Sequence, residues 1–192
     1  VNYLLFATNN KHKLIEIRQI LDSAYDITGL TEAGFAEDLP ETQDTLEGNA
    51  LQKAHYVYNA LKVDCFADDT GLEVEALDGA PGVYSARFAG ENASYTDNVD
   101  KLLLMLHDKE NRKARFRTVI ALILDGQEYL FEGEVHGIIT RQPKGSSGFG
   151  YDPVFVPDGY QESFAEMEHA LKNAISHRGR AIEKLTAFLI QR

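Results

Sequence analysis

Only one cysteine occurs in the sequence, Cys65, so no disulfide can form within the chain. A lone thiol in the apolar run Cys65-Phe66-Ala67 is expected as a small buried core residue. Without a cysteine framework, nothing points to secretion. Long apolar runs are missing as well. The opening stretch Val1-Asn2-Tyr3-Leu4-Leu5-Phe6-Ala7 has no basic lead and is too short for a signal peptide or a membrane span. The expectation is a cytoplasmic protein with no membrane partner. Basic residues are outnumbered, 19 Lys and Arg against 30 Asp and Glu, for a formal net charge of −11. Such a surface repels a polyanion at long range, which argues against a nucleic-acid polymer as partner. Small anions remain open, because a few local cations or a metal ion suffice for them. No H-E-x-x-H spacing suggests zinc, and the Gly-Lys-Ser/Thr of a Walker loop appears nowhere. Repeats, low-complexity tracts and linker-like runs are also absent, so a single domain over residues 1–192 is expected.

What is present suffices for a core: 192 residues, 44% apolar and 10% aromatic, with no need of disulfides or a structural metal. Tyr3 to Ala7 reads as a short buried strand. Leu14, Ile17 and Leu21 recur at helical spacing after it, and Tyr25 to Leu30 is a weaker strand. Glu32 to Gln43 is acidic and loop-like. Asp44 is placed to cap a helix through about Leu61, with Leu46, Ala50, Ala54, Val57 and Leu61 on one face. Val63 to Ala67 and Leu72 to Leu77 read as two strands, and "DGAPG" from Asp78 to Gly82 as a turn. Thr96 is placed to cap a helix ending near His107. Phe116 to Leu124 and Glu128 to Thr140 flank Asp125-Gly126, a dipeptide suited to a tight hairpin because both central residues need positive φ. Val154 to Val156 is a short strand, Ser163 to Glu166 a capping box opening a helix, and Ile182, Leu185, Phe188 and Leu189 mark a last helix. Helices alternating with strands around a central hairpin predict an α/β fold with a mixed sheet and helices on both faces.

Four stretches carry candidate chemistry. In "FATNNKHKLIEI" a buried strand runs into a polar loop and a helix start, where unpaired N–H groups make an anion site. Thr8 and Asn10 add side-chain donors and Lys13 a full charge, although a capped helix with solvated lysines explains the same pattern. In "CFADDTGLEVEALDG" the adjacent Asp68 and Asp69 repel one another, which favours a protonated member or a bound divalent cation. Oxygen ligands that keep several waters suit magnesium, and Glu41 in "LPETQDTLEGNA" is a further oxygen donor. A solvated turn is the competing reading. Successive strand side chains point to opposite faces, so the two acids are expected to play different parts. "PKGSSGFGYDPVFVP" combines glycines that admit a close ligand with Phe149 and Tyr151, whose flat faces suit stacking, though a plain surface loop fits it equally well. In "LKNAISHRGRAIEKL" Lys172, His177 and Arg178 cluster, with Ser176 placed to cap the final helix, and a solvated basic end is the simpler explanation.

Taken together, "ATNNKHK", "ETQDTLEGNA", "FADDTGLEVEALDGAPGVYSARFAG", "GFGYDPVF" and "KNAISHRGRA" resemble the inosine triphosphate pyrophosphatase family, whose bacterial members are XTP/dITP diphosphatases. The blocks occur in the family's order from Ala7 to Ala181. The resemblance implies an elongated mixed α/β sheet flanked by helices, two lobes with a central cleft, and a homodimer. It also implies a Mg²⁺-dependent enzyme that splits ITP, dITP and XTP between the α and β phosphates. Thr8, Asn10 and Lys13 match the phosphate loop, and Asn9 between them is a further candidate for substrate binding. Asp69 matches the catalytic acid and a metal ligand, with Asp68 and Glu41 as further metal-site acids. Thr70, Phe149, Gly150, Tyr151, Asp152, Lys172, His177 and Arg178 match substrate-contacting positions. Asn9 stands where many members have glycine, which raises a question about the loop's φ, and Gly48 and Leu171 replace common acids.

The chemistry so implied is in-line attack of a water, deprotonated by Asp69, on the α-phosphorus, with no covalent intermediate. Hypoxanthine and xanthine offer an acceptor at position 6 where adenine offers a donor, so Arg178 or a backbone N–H aimed there would discriminate between them. Three rivals stand beside this reading: a related pyrophosphatase for pyrimidine or modified nucleotides, a nucleotide sensor without turnover, and a sugar hydrolase. The last needs two acids several ångströms apart across the scissile bond, which adjacent Asp68 and Asp69 do not supply.

Overall fold

The computed structural model describes residues 2–21 and 25–192. In chain order the elements are β1 (Asn2–Phe6), α1 (Lys11–Leu21), β2 (Tyr25–Thr28), α2 (Leu46–Leu61), β3 (Cys65–Val74), α3 (Tyr95–Met105), β4 (Lys113–Leu124), β5 (Gln127–Ile139), β6 (Phe155–Pro157), α4 (His169–Ile175) and α5 (His177–Ile190). The strands hydrogen-bond in the order β2-β1-β3-β4-β5-β6. β1 runs parallel to both β2 and β3, whereas β6 is antiparallel to β5, so the sheet is mixed as expected. Leu4, Leu5 and Phe6 are all buried, the pattern of a parallel strand covered on both faces. No described helix is long and apolar enough to cross a membrane.

The chain divides into two compact units. The first comprises Val1–Asp69, Thr118–Gly133 and Arg178–Arg192, and the second Thr70–Arg117 and Glu134–His177. Each has its own apolar core. In the first, Leu4, Ile17, Phe66, Ile120, Ile182 and Leu185 pack together, and the Phe6 and Phe66 rings stack at 4.5 Å between centroids. In the second, Leu72, Leu102, Val135, Phe155 and Phe164 form the centre, with Phe116 edge-on to Phe155 at 4.6 Å. Cys65 is buried as expected, its thiol donating to the Ala54 carbonyl at 3.4 Å.

Several boundaries differ from the sequence reading, each for a local reason. The two strands expected around Asp68 and Asp69 are one ten-residue strand, β3, and Glu75–Leu77 is a 3₁₀ turn. The two acids therefore lie inside a strand and not in a turn after one. α2 is capped by Thr45, not Asp44: the Thr45 hydroxyl accepts from Gly48 N at 3.0 Å. α3 is capped by Ser94, not Thr96, through a reciprocal box with Asp97. The capping box expected at Ser163 is only half formed. Glu166 accepts from Ser163 N at 3.0 Å, but the Ser163 hydroxyl donates to the Lys144 carbonyl, so a turn forms and the helix waits until His169. The hairpin is as predicted, with Asp125 at φ 52 and Gly126 at φ 77.

β6 is pinned to β5 at Gly137, Ile138 and Ile139. An added Cβ at Gly137 would stand 2.3 Å from Val156 O and 2.7 Å from Phe155 Cζ, so no side chain fits without moving β6. Gly137→Ala is expected to destabilise the protein by about 1–3 kcal/mol, the usual cost of overpacking, as read from the urea midpoint. An unchanged midpoint would show that β6 yields freely.

Candidate active site

In the first unit, β1 ends at Phe6 and the chain turns through Thr8, Asn9 and Asn10 into α1. Asn10 caps this helix: its Oδ1 accepts from His12 N at 3.0 Å and Lys13 N at 3.2 Å, while Thr8 Oγ1 accepts from Asn10 N at 3.1 Å. Two of the N–H groups expected to face an anion are thus satisfied by Asn10. Asn9 accepts from the Thr31 hydroxyl at 3.0 Å and is not among the non-glycine residues with positive φ, so its place in the loop needs no glycine. Lys13 reaches Asp68 Oδ1 at 3.1 Å.

Asp68 is buried at 2% exposure inside a cage of cations. Lys13 approaches Oδ1, Arg178 Nε approaches Oδ2 at 3.4 Å, and Lys53 donates to the Asp68 carbonyl at 2.6 Å. Burial alone would raise its pKa, but Lys13, Arg178 and Lys53 outweigh burial and hold the carboxyl well below the usual carboxylate range. Arg178 is itself buried and paired to Glu16. The basic cluster at Lys172, His177 and Arg178 is therefore interior, not the solvated end that composition favoured. Burial works against charge on Arg178 as well, and Glu16 and Asp68 raise its pKa in spite of it.

Asp69 has a different environment. Burial, with Glu41 adding to it, raises its pKa to about 6 even though Lys53 and Lys13 pull it down in part. Its Oδ1 is 3.8 Å from Lys53 Nζ, and its Oδ2 is buried without a hydrogen-bond partner among the described residues. Asn49 lies near enough to temper the shift, although its Nδ2 is at bonding distance from nothing described. The neighbouring acids thus stand in different environments: one is held as an anion by cations, the other has a raised pKa and an oxygen without a partner among the described residues.

Glu41 is brought to this place by α2. Gln43 N donates to Asn49, Thr42 N to Gln52, Lys53 to Glu41 at 2.7 Å, and Tyr56 to Glu37. Positions 49, 52, 53 and 56 lie on one helix face, so successive turns fasten the acidic loop. Glu41 and Asp69 share Lys53 as a cation partner, and both are hard oxygen donors that suit a divalent ion together with water. Among the described residues no group of three or more His, Cys, Asp or Glu side chains is arranged to hold a metal. Lys53 and Glu16 escaped the sequence reading. The signal for Lys53 was its spacing from Asn49 and Tyr56, and for Glu16 its place three residues beyond Lys13 on α1.

The second unit holds the other predicted residues. Asp152 Oδ2 accepts from Lys172 Nζ at 2.7 Å and from Phe149 N at 3.0 Å, both acid and lysine being buried. Gly148, at φ 74, makes this possible, since an added Cβ would stand 2.2 Å from Asp152 Oδ2. Lys172 also lies over the half-buried Phe149 ring at 4.9 Å. Gly150 has φ 62, and the Tyr151 hydroxyl donates to the Ser85 carbonyl at 2.6 Å, so Tyr151 is built into the core rather than offered for stacking. Burial raises the Tyr151 pKa. His177 stacks on Phe116 at 4.6 Å between centroids, and Thr70 is half-buried in β3. The structure thus gathers Thr8, Asn9, Asn10, Lys13, Glu41, Asp68, Asp69 and Arg178 in the first unit, and Thr70, Phe149, Gly150, Tyr151, Asp152, Lys172 and His177 in the second.

Two buried or nearly buried lysines and an arginine thus converge on carboxylates inside an acidic α/β chain. Residues 4–188 match the Ham1 family, and the chain belongs to that family. A protein of Porphyromonas gingivalis named dITP/XTP pyrophosphatase is 57% identical over 188 residues, covering 97% of this chain and 97% of that one. One of the same name from Flavobacterium johnsoniae is 50% identical over 186 residues, again covering 97% of each chain. The fold of a HAM1 protein from Coxiella burnetii superposes with a TM-score of 0.91 at 37% identity, over 100% of both chains.

The two acids respond to pH in opposite senses. Between pH of about 4 and 6, Asp69 ionises in the unfolded chain before it does in the folded one, so the unfolded state binds fewer protons and folding weakens as pH rises. Two pKa units correspond to about 3 kcal/mol. Asp68 contributes stability above the ordinary carboxylate range, and that contribution is lost as pH falls through and below it. In metal-free protein, the stability gained by Asp69→Asn over the wild type is expected to grow by about 3 kcal/mol from pH 4 to pH 7 in urea titrations. A difference that stays constant with pH would contradict the raised pKa.

Proposed function

We propose that this chain is a nucleoside-triphosphate pyrophosphatase that hydrolyses dITP, ITP and XTP to the monophosphate and pyrophosphate, clearing non-standard purines from the nucleotide pool. The names of its relatives and its membership of the Ham1 family support this reading. The observation that carries it is the divergence of Asp68 and Asp69, neighbours in one strand with pKa values pushed to opposite sides of the ordinary range. A pair separated in this way is how one site keeps a fixed anion beside a working base.

Glu41 and Asp69, with Asp68 behind them, would hold Mg²⁺. When bound, the ion supplies positive charge against the triphosphate. Asp69 takes the proton of a water whose oxygen attacks the α-phosphorus. The α–β bridging P–O bond breaks, and the electron pair leaves with pyrophosphate. Lys13 and the Thr8–Asn10 turn steady the phosphate oxygens. Arg178, its guanidinium fixed by Glu16 and Asp68, presents a donor to the 6-oxo group of the base. Phe149 stacks on the base, Lys172 and Asp152 hold the loop around Gly150, and Thr70 and His177 complete the substrate contacts. A homodimer and a cytoplasmic setting belong to the same proposal and rest on the family resemblance.

Incubating ITP, XTP, dITP, ATP and GTP with the protein and Mg²⁺, and resolving products by ³¹P NMR, is expected to give pyrophosphate from the first three. Asp69→Asn should retain nucleotide binding and lose several powers of ten in kcat. Orthophosphate as product, or near-native turnover in that variant, would reject the reading. Arg178→Lys keeps the charge but not the planar fork. It is expected to lower the ITP-over-ATP ratio of kcat/KM at least about tenfold, of the order a lost hydrogen bond to a charged group costs, and an unchanged ratio would remove Arg178 from base selection.

A further inference from the structure

Lys53 belongs to neither the phosphate loop nor the acid pair, yet its ammonium sits where their carboxylates meet. Nζ lies 2.7 Å from Glu41 Oε1, 2.6 Å from the Asp68 carbonyl and 3.8 Å from Asp69 Oδ1, with the side chain 7% exposed. A lysine side chain is an ammonium at physiological pH, and here Glu41 and Asp69 face it with opposite charge. The oxygens it gathers, two carboxylates and one carbonyl, are the donor types a hard divalent cation takes. An ammonium and a divalent ion cannot both occupy the centre of such a set. They would repel at a separation of a few ångströms with little water between them. Asn49, Gln52 and Tyr56 fasten the acidic loop to α2 through Gln43, Thr42 and Glu37, contacts that do not involve Lys53.

We propose that Lys53 is a built-in stand-in for the divalent ion: its ammonium neutralises Glu41 and Asp69 while the site holds no metal, and it must withdraw for the ion to bind. Lys53 is then a positioning residue that keeps two acids from repelling each other in the resting protein, and its competition weakens metal binding there. This inference rests on the reading of Glu41 and Asp69 as metal ligands.

Mn²⁺ binding to nucleotide-free protein, followed by the EPR signal of free Mn²⁺, tests it without any turnover. Lys53→Met and Lys53→Gln are each expected to bind Mn²⁺ at least about tenfold more tightly than the wild type, as removal of a neighbouring positive charge requires. Adding Glu41→Gln to Lys53→Met is expected to abolish that gain. Mn²⁺ should also raise Tm more in the two variants than in the wild type, and a variant that folds only when Mn²⁺ is supplied supports the proposal, the ion then replacing the missing ammonium. Folded Lys53 variants that bind Mn²⁺ no more tightly than the wild type, while Glu41→Gln and Asp69→Asn each weaken binding, would overturn the stand-in and leave the ligands intact. Mn²⁺ affinity indifferent to Glu41→Gln and Asp69→Asn would overturn the ligand assignment, and the stand-in with it.

Discussion

A carboxylate shut away from water must be neutralised where it stands, and Asp68 imposes that requirement on much of the first unit. Lys13 from α1, Arg178 from α5 and Lys53 from α2 all answer it, and Arg178 brings Glu16 with it. Three helices are thereby tied to one strand by charge as well as by apolar packing. Removing any one partner of such a buried set costs about 3–5 kcal/mol, because the charge left behind has no water to turn to. The arrangement is expensive as a stabilising device and intelligible as a way of fixing cations around a common point.

The adjacency of Asp68 and Asp69 gives the site its asymmetry. In an extended strand, consecutive side chains face opposite ways, so one backbone segment can offer two carboxyls to two different environments. Asp68 meets three cations. Asp69 has Lys53 at 3.8 Å, shares it with Glu41, feels Lys13 more weakly, and keeps one oxygen without a partner among the described residues. An unsatisfied buried acceptor carries a desolvation penalty of about 1–3 kcal/mol, which a bound cation or a proton relieves. The strain is local and chemically directed.

The order of elements and the mixed sheet were legible because hydrophobic periodicity and the Asp125-Gly126 turn act over short stretches. The caps at Thr45 and Ser94 were missed by one or two residues, since several neighbouring side chains in each stretch have capping chemistry and only the geometry selects among them. The capping box at Ser163 shows the converse. Its sequence signature is complete, but a tertiary partner, the Lys144 carbonyl, captured the hydroxyl. At the site, the motifs pointed to Lys13, Glu41, Asp68, Asp69 and Arg178, which ion pairs link in the first unit, directly or through Lys53. Burial was not legible: Lys172, His177 and Arg178 look like a solvated basic end until the fold encloses them. Glu16 and Lys53 went unseen because their importance lies in which charge they face, and a helix declares its faces only once it is packed.

The buried Cys65 has a practical meaning. It is the only thiol in the chain, its side chain is buried with Sγ against Ala54 of α2, and burial, with Asp64 adding to it, pushes its pKa up to about 12. At neutral pH it stays protonated and out of contact with maleimides or methanethiosulfonates, which react through an accessible thiolate. A cysteine engineered onto the acidic loop or beside Phe149 would therefore be the sole reactive position, letting a spin label or fluorophore follow either segment without first stripping the native protein of sulfur.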